Sequence, residues 1–362
     1  MIAKRKWIAL GILVLVIIAL QWMWSSNEAS VSIFDTYFFV PCQTIRIRLL
    51  HYIALSVGDI IYFLAGFGLL IGLIQFVFYA CRFRKYKSQI FNLLFNFIII
   101  IAAAILWFLL GWGGNYNKPG LATFWGLKHT PSRLDDSIAL VNFNILLIQR
   151  LNESAPKFQH RPLRDVNAVA SSAYSKLCAA VQTDGLCVKN SLYSYFIERL
   201  GIDGYYNPFT GEGQINSSLP GFMLPFVVTH EMAHQAGIAA EDDANLLAYA
   251  IGTLTDDPSF NYSAALNVWL YTSSRLRRHD SMLENKLEAN LNALTRRHLD
   301  TLEMIAKEYD NGFARSSSDM YDAYLKLNRQ KEGLRSYGHV SLTARLWEEQ
   351  RRLMGRQALV LP

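Results

Sequence analysis

Three long apolar stretches in the first third of the chain constrain its fold more than any other feature. They run from Trp7 to Trp24, from Ile60 to Ala80 and from Ile90 to Gly111. Each comes close to the ~20 apolar residues that a helix needs to cross a bilayer. We therefore expect a membrane domain over residues 1–114, with transmembrane helices at about 7–24, 60–80 and 90–111. A second domain is expected over residues 115–362.

Basic residues indicate the orientation of these helices. Three precede the first stretch, at positions 4–6, and four lie at positions 82–87, between the second and third stretches. Cytoplasmic loops are enriched in Lys and Arg, so the amino terminus is expected in the cytoplasm and the second domain on the periplasmic or extracellular side. A cleaved signal peptide is the alternative for the first stretch. No small-residue cleavage site follows it directly, and Trp22 and Trp24 fit an interfacial belt, which favours an uncleaved anchor.

The distribution of charge limits the classes of partner. The net charge of +6 comes from the first 112 residues, which carry nine Lys or Arg and three acids, whereas the remainder carries 26 of each sign. The excess of basic residues is therefore explained by the orientation of the membrane helices, and the second domain has no net charge. A nucleic-acid partner has no support from this pattern. The lipid bilayer is the first partner that the sequence predicts.

The motif HEMAH, which begins at His230, is the strongest chemical signal in the chain. Residues four apart share a helix face, so His230 and His234 can bind one metal ion while Glu231 lies beside its open position. Zinc bound by two His and a carboxylate lowers the pKa of its water to about 7, and a neighbouring Glu can take the proton. The motif predicts Zn²⁺ binding and peptide-bond hydrolysis. The alternative is a chance match on an amphipathic helix.

The flanking residues favour the metal interpretation over the chance match. Pro225 stands at a plausible first turn within an apolar lead-in, and Gly237 is placed to end the helix. A second helical run begins at residues 241–245, which include three acids. A carboxylate on this second helix can return to the metal as a third ligand.

The stretch from His230 to Tyr249 resembles the gluzincin metallopeptidases, in which HExxH is followed by a ligand Glu on an ExxA-type helix. More closely, the chain resembles an uncharacterised family of bacterial membrane proteins, domain of unknown function 3810, with three membrane spans and a motif like HExAHQxGxxxExxAN. Further family-like pieces are Ser56–Asp59, Asn207–Glu212 and Ser336–Gly338. The resemblance implies a zinc-peptidase fold with Glu241 as third ligand, and Asp243 stays open as the alternative. Gln235 and Asn245 are the candidates for supporting these ligands.

Outside the motif, the second domain is expected to be mainly helical. Apolar spacing predicts helices at residues 136–151, 167–181, 192–200, 262–275 and 280–309, and a last helix through Leu353. Between them, Gly201 to Gly221 is rich in turn-forming residues and contains one short strand candidate at 214–216. The resemblance implies an edge strand that binds the substrate backbone by strand addition, with Gln214 and Asn216 as candidate contacts. A turn-rich linker is the alternative.

Tyr337 precedes the last predicted helix and is a candidate for stabilising the oxyanion that forms during hydrolysis. The alternative is a packed tyrosine with its hydroxyl satisfied. Neither the oligomeric state, nor the substrate, nor a disulfide between Cys178 and Cys187 follows from the sequence.

The predicted fold class is mainly α: three amino-terminal transmembrane helices, then a mostly helical, zincin-like (gluzincin) metallopeptidase domain with a small edge sheet. The predicted function is a membrane-anchored zinc metallopeptidase with Glu231 as general base, acting on a peptide or protein substrate. The alternative function is a non-catalytic, metal-binding envelope sensor or assembly factor that binds a peptide or protein partner. A transporter has little support, because the predicted spans contain few polar residues.

Overall fold

The computed structural model describes residues 2–26, 28–127, 133–178, 185–309, 337–354 and 359–362. Within these residues the chain is mainly helical with a small sheet, which confirms the coarse fold class. The chain forms two compact units. The first consists of Met1–Lys118 with Asn207–Glu212, and the second of Pro119–Tyr206 with Gly213–Pro362.

Three helices in the described part of the first unit are long and apolar enough to cross a membrane, as predicted. These segments are Arg5–Ser25, Val57–Cys81 and Phe83–Gly111. The helices of this unit are α1 (Ile2–Ser26), α2 (Glu28–Phe34), α3 (Val40–Leu50), α4 (Val57–Cys81) and α5 (Phe83–Gly111). The apolar side chains of α4 are almost all exposed, which suits a helix surrounded by lipid.

The short helices between the first two apolar helices close over an aromatic cluster. The rings of Trp24 and Phe34 have centroids 4.9 Å apart, and those of Phe39 and Trp112 are 5.9 Å apart. All four residues are buried, although many other aromatic side chains of this unit are exposed. Burial of such rings gives the first unit a core of its own.

The turn at residues 207–212 belongs to the first unit through its hydrogen bonds. The carboxylate of Glu212 accepts from the backbone N–H of Val57 at 3.3 Å and of Gly58 at 2.6 Å, at the start of α4. Gln43 on α3 donates to the carbonyl of Gly211 at 3.0 Å. A carboxylate at a helix amino terminus satisfies open N–H groups and interacts favourably with the helix dipole.

The second unit is built around a helix buried on all sides. Its helices are α6 (Leu121–Phe124), α7 (Arg133–Ser154), α8 (Leu163–Leu177), α9 (Ser194–Arg199), α10 (Leu224–Gln235), α11 (Glu241–Leu254), α12 (Pro258–His279), α13 (Ser281–Glu288), α14 (Ala293–Tyr309) and α15 (Tyr337–Met354). Helix α11 packs against α10, α12 and α15, and its side chains from Ala244 to Gly252 are buried. A helix covered on every face has to be apolar all round, as the run from Leu246 to Ile251 is.

The single helix expected over residues 280–309 is wrong, because α13 ends at Glu288 and α14 begins at Ala293. Two asparagines lie at the break. The side chain of Asn290 donates to the carbonyl of Lys286 at 2.8 Å, and that of Asn292 accepts from Thr295 N at 2.9 Å. Such local side-chain bonds compete with the helical pattern and cap the helix that follows.

The sheet has three short strands, β1 (Val188–Asn190), β2 (Gly204–Asn207) and β3 (Glu212–Ile215), in the order β1-β3-β2. The strand candidate at 214–216 corresponds to β3. Its expected place at an edge is wrong, because β1 pairs with it in parallel on one side and β2 lies on the other. Strands of three or four residues carry too little alternation to be recognised singly, so its two neighbours were missed.

Cys178 and Cys187 remain separate thiols and form no disulfide. Cys178 is buried and its backbone bridges to Leu359. Burial raises the pKa of the Cys178 thiol to about 12, so this group stays protonated at neutral pH.

Candidate metal centre

Helix α10 carries the HEMAH motif and is fixed by contacts just before it. Pro225 occupies the first turn, where its missing N–H costs no hydrogen bond. The hydroxyl of Ser263 accepts from Phe226 N at 3.1 Å, and the hydroxyl of Tyr174 donates to the carbonyl of Thr229 at 2.7 Å. Because these contacts hold the helix from two sides, the side chains that follow have a defined direction.

The side chains of His230, His234 and Glu241 converge on one point. Each offers a nitrogen or oxygen atom, and these atoms lie within 4.8 Å of one another. The two Nε2 atoms are 3.1 Å apart, and carboxylate oxygens of Glu241 lie 3.2 Å from Nε2 of His230 and 3.5 Å from Nε2 of His234. Ligand atoms around a tetrahedral zinc ion are about 3.3 Å apart, given bonds of about 2.0–2.1 Å. The three side chains therefore fit a zinc ion.

The orientation of His234 is set by its other ring nitrogen. Nδ1 lies 2.7 Å from the carbonyl oxygen of Ile238. A carbonyl can only accept, so Nδ1 carries a hydrogen. When the ring is deprotonated, as metal binding requires, the lone pair of Nε2 faces the cluster. Gly237 permits this turn with a φ of +95°, a conformation that favours glycine. The predicted helix end at Gly237 is confirmed.

Burial and mutual charge set the ionisation of the three candidate ligands. Burial lowers the pKa of His230, and the nearby Glu241 and Asn245 offset this only in part. Burial acts in the same direction on His234, but the carboxylate of Glu241 outweighs it and the pKa rises to about 9. Burial opposes ionisation of Glu241, yet the charge of His234 and hydrogen bonds from both histidines hold its pKa well below the usual range. The cluster therefore favours a positive charge at its centre.

Glu231 occupies a narrow buried slot beside β2 and β3. A Cβ added at Gly204 would lie 2.7 Å from Oε1 of Glu231, and one added at Gly213 would lie 3.1 Å from its Cβ. Burial raises the pKa of Glu231 to about 8. No described residue hydrogen-bonds its buried Oε2. A buried oxygen without a partner is costly, and here it is placed to act on a group from outside the chain.

Glu241 and Asp243 both stand in the first turn of α11, but their side chains have different partners. Glu241 contacts the histidines, whereas Asp243 accepts hydrogen bonds from the backbone N–H groups of Leu121 and Ala122. Asp243 therefore satisfies the amino terminus of α6. Burial, the larger influence, raises its pKa to about 7. The geometry thus favours Glu241 over Asp243 as the third ligand.

Asn245 and Gln235, the two predicted supporting residues, have different roles. The amide of Asn245 donates to the carbonyl of Glu241 at 2.8 Å and influences the pKa of His230, so it lies beside two candidate ligands. Gln235 instead pairs with the backbone of Cys187, accepting from its N–H at 3.2 Å and donating to its carbonyl at 3.1 Å. Gln235 therefore connects the end of α10 to the residue that precedes β1.

The two predicted substrate contacts lie in β3 and directly after it. Gln214 is buried in β3, opposite Lys189 of β1. Asn216 follows β3, where its side chain accepts from Ser218 N at 3.0 Å and its N–H donates to the carbonyl of Asp203 at 2.8 Å. Because β3 is paired on both sides, substrate addition along it is excluded.

Tyr337 begins α15, and its side chain lies outside the described residues, so its role stays a prediction. Two other residues near the centre were missed by sequence reasoning. Burial raises the pKa of Tyr271, and the charges of Asp203 and Glu241 raise it further, which places its hydroxyl near both acids. Asp203 also acts on the pKa of Glu231. Neither residue belongs to a motif, and only the fold brings them to this place.

Comparison with known proteins identifies a family for this chain, but that family has no assigned activity. A sequence model of the family described as "Protein of unknown function (DUF3810)" matches residues 34–342. No curated protein and no solved structure matches the chain. The matched range includes α4, α5, the sheet and both helices that carry the candidate ligands.

Proposed function

Because the chain belongs to the DUF3810 family of proteins of unknown function, we propose an activity from its own residues: a membrane-anchored zinc metallopeptidase. One observation carries the proposal. The Nε2 atoms of His230 and His234 are 3.1 Å apart, and the two carboxylate oxygens of Glu241 lie 3.2 Å from the first and 3.5 Å from the second. These distances are near the edge length of a zinc tetrahedron, and the carboxyl of Glu231 lies beside the cluster. Two His and one Glu leave a fourth position open, as catalytic zinc sites require.

The second unit is assigned to the zincin-like folds of the gluzincin type. The first two ligands stand on α10 and the third on the next helix, α11. The small sheet packs beside the base through Gly204 and Gly213. These features support the assignment.

The chain's residues have distinct roles in the proposed reaction. A bound zinc ion would supply water acidified to a pKa of about 7. Next to the positive charge of that ion, Glu231 would be ionised despite the effect of burial on its pKa. Its carboxylate accepts a proton from the water as the water oxygen forms a bond to the peptide carbonyl carbon. The same carboxyl then gives that proton to the amide nitrogen as the C–N bond breaks. Burial in the slot beside Gly204 holds the carboxyl in place between the two transfers.

The proposal also includes a topology. The amino terminus lies in the cytoplasm and the second unit on the periplasmic or extracellular side. Basic residues at 4–6 and 82–87 support this orientation, together with three membrane-length helices. Alkaline phosphatase fused after Pro362 is expected to be active, because it folds only outside the cytoplasm. Activity of a cytoplasmic reporter at the same position would refute the orientation.

The decisive experiment measures zinc content and peptide hydrolysis in the detergent-purified full chain. We expect about one zinc ion per chain, lost in His230→Ala and retained in Glu231→Gln. Cleavage of a fluorogenic peptide library should be absent from both variants, because one lacks a ligand and the other lacks the base.

Asp242→Asn is the matched control, since it removes an acid next to a ligand without touching the donor set. It should keep both zinc and cleavage. Equal cleavage by the wild type and Glu231→Gln would refute Glu231 as the base. Zinc binding without cleavage by the wild type would refute the catalytic proposal, and the sensor or assembly function would take its place.

A further inference from the structure

A groove in the second unit has a volume of about 530 Å³. Its walls come from the end of α9, the residues before β2, the turn after β3 and the end of α14. Three carboxylates, Glu198, Asp203 and Glu303, line this α14 groove together with Lys307. The groove therefore carries a negative charge at neutral pH.

Two of the three carboxylates already have partners in the protein. Glu303 forms an ion pair of 2.6 Å with Lys307, and Glu198 hydrogen-bonds the hydroxyl of Tyr309. Among the described residues, none forms a hydrogen bond or an ion pair with the carboxylate of Asp203, and the residue is exposed. Desolvation by the protein around it raises the pKa of this carboxyl to about 6, so it is mainly ionised at neutral pH. An open carboxylate in a groove is able to bind a cation from outside the chain.

Asp203 lines the groove and is one residue away from the wall of the slot that holds Glu231. It directly precedes Gly204, whose Cα packs against the carboxyl of Glu231. The backbone of Asp203 is fixed, since its carbonyl accepts from Asn216 N at 2.8 Å. Its charge reaches both Glu231 and Tyr271, and raises the pKa of each. A substrate whose reacting carbonyl lies at Glu231 would thus have its neighbouring residues near Asp203.

We propose that Asp203 binds a cationic nitrogen of the substrate, an ammonium or guanidinium group, next to the bond that is cut. This inference rests on the proposed function and names the substrate class: peptides with a positive charge beside the scissile bond. The charge is either the free amino terminus or a Lys or Arg side chain. A charge-assisted hydrogen bond of this kind should change affinity about 10- to 100-fold.

Hydroxamates test this without hydrolysis, because they bind catalytic zinc directly. Affinity for the zinc-loaded full chain would be measured by calorimetry in two pairs of probes. L-leucine hydroxamate against its N-acetyl form tests the amino terminus, and Nα-acetyl-lysine hydroxamate against Nα-acetyl-norleucine hydroxamate tests the side chain. We expect the cationic member of one pair to bind about 10- to 100-fold more tightly. That pair identifies the source of the charge.

The preference should disappear in Asp203→Asn and persist in part in Asp203→Glu, which keeps the charge. Glu303→Gln is the matched control, because its carboxylate in the same groove is already paired, and it should keep the full preference. If the hydroxamates bind but Asp203→Asn leaves both ratios unchanged, the inference is overturned while the zinc site stands. If none of the hydroxamates binds, the proposed function fails and the inference fails with it.

Discussion

Gly204→Ala should disable the candidate base without removing the metal. The new Cβ would lie 2.7 Å from Oε1 of Glu231, 3.2 Å from its carboxyl carbon and 2.9 Å from the carbonyl oxygen of Gln214. Gly204 is not among the glycines with positive φ, so its backbone accepts alanine without strain. The whole effect of the substitution is therefore the contact between the new methyl group and its neighbours.

The size of the effect follows from these distances. An ordinary contact of a methyl carbon is about 3.4 Å or more, so one partner has to retreat by about 0.5–0.7 Å. The Gln214 carbonyl belongs to the central strand and moves less easily, so we expect a small shift of β2 at residue 204 to relieve that contact and the remaining displacement to fall on Glu231. Misplacement of a catalytic group by ~1 Å can cost ~100-fold in rate, so we expect a loss of about 10- to 100-fold. Overpacking should lower the free energy of unfolding by about 1–3 kcal/mol.

The assay compares hydrolysis, zinc content and the midpoint of thermal unfolding for the wild type and Gly204→Ala. The matched control is Gly120→Ala, where a Cβ would meet nothing closer than 3.4 Å, at Asp243 Oδ2. We expect the control to keep full activity and Gly204→Ala to keep its zinc. Full activity in a folded Gly204→Ala protein would show that Glu231 does not act from the position described. Loss of zinc would show that the slot supports the ligands rather than the base.

Three further predictions follow from single contacts. Glu241→Gln should weaken zinc binding at least ~100-fold in a chelator competition, because the anionic ligand is lost, whereas Asp243→Asn should leave zinc affinity unchanged. An equal loss of zinc affinity in the two variants would refute the assignment of the third ligand. Glu348→Gln should lower the free energy of unfolding by about 3 kcal/mol, because it breaks the buried pair in which Arg150 makes two hydrogen bonds of 2.6 Å; an unchanged melting temperature would contradict this. At pH 8 a maleimide should leave Cys178 unmodified until the protein unfolds, because the raised pKa of about 12 keeps this buried thiol protonated. Mass spectrometry would measure the labelling, and fast labelling of the native protein would contradict the burial of Cys178.

Local sequence patterns were enough to predict the helices whose formation depends mainly on residues close together in the chain. Three apolar stretches predicted the helices α1, α4 and α5, because membrane-length burial in lipid requires nothing from the rest of the chain. The motif helix was recognised for a similar reason, since Pro225 and Gly237 mark its two ends. The break before α14 was missed, because Asn290 and Asn292 lie within an amphipathic pattern that continues across them.

The sequence alone predicts only part of the candidate site. His230, Glu231 and His234 follow from helical spacing, which is fixed by the backbone. The third ligand depends on how α11 packs against α10, and three adjacent acids begin that helix. The structure distinguishes them by a contact far along the chain: the N–H groups of α6 bind Asp243, which leaves Glu241 to the histidines.

Asp203 shows why the recognition part of such a site escapes sequence reasoning. It stands alone between the turn at Gly201 and the first residue of β2, with no periodicity or motif around it. Its place beside Glu231 arises because Gly204 lets β2 approach the motif helix closely, and that approach is a property of the sheet and helix together. The motif behind the proposed chemistry is thus visible in five consecutive residues, whereas the proposed recognition of the substrate rests on a carboxylate that only the fold brings to the groove.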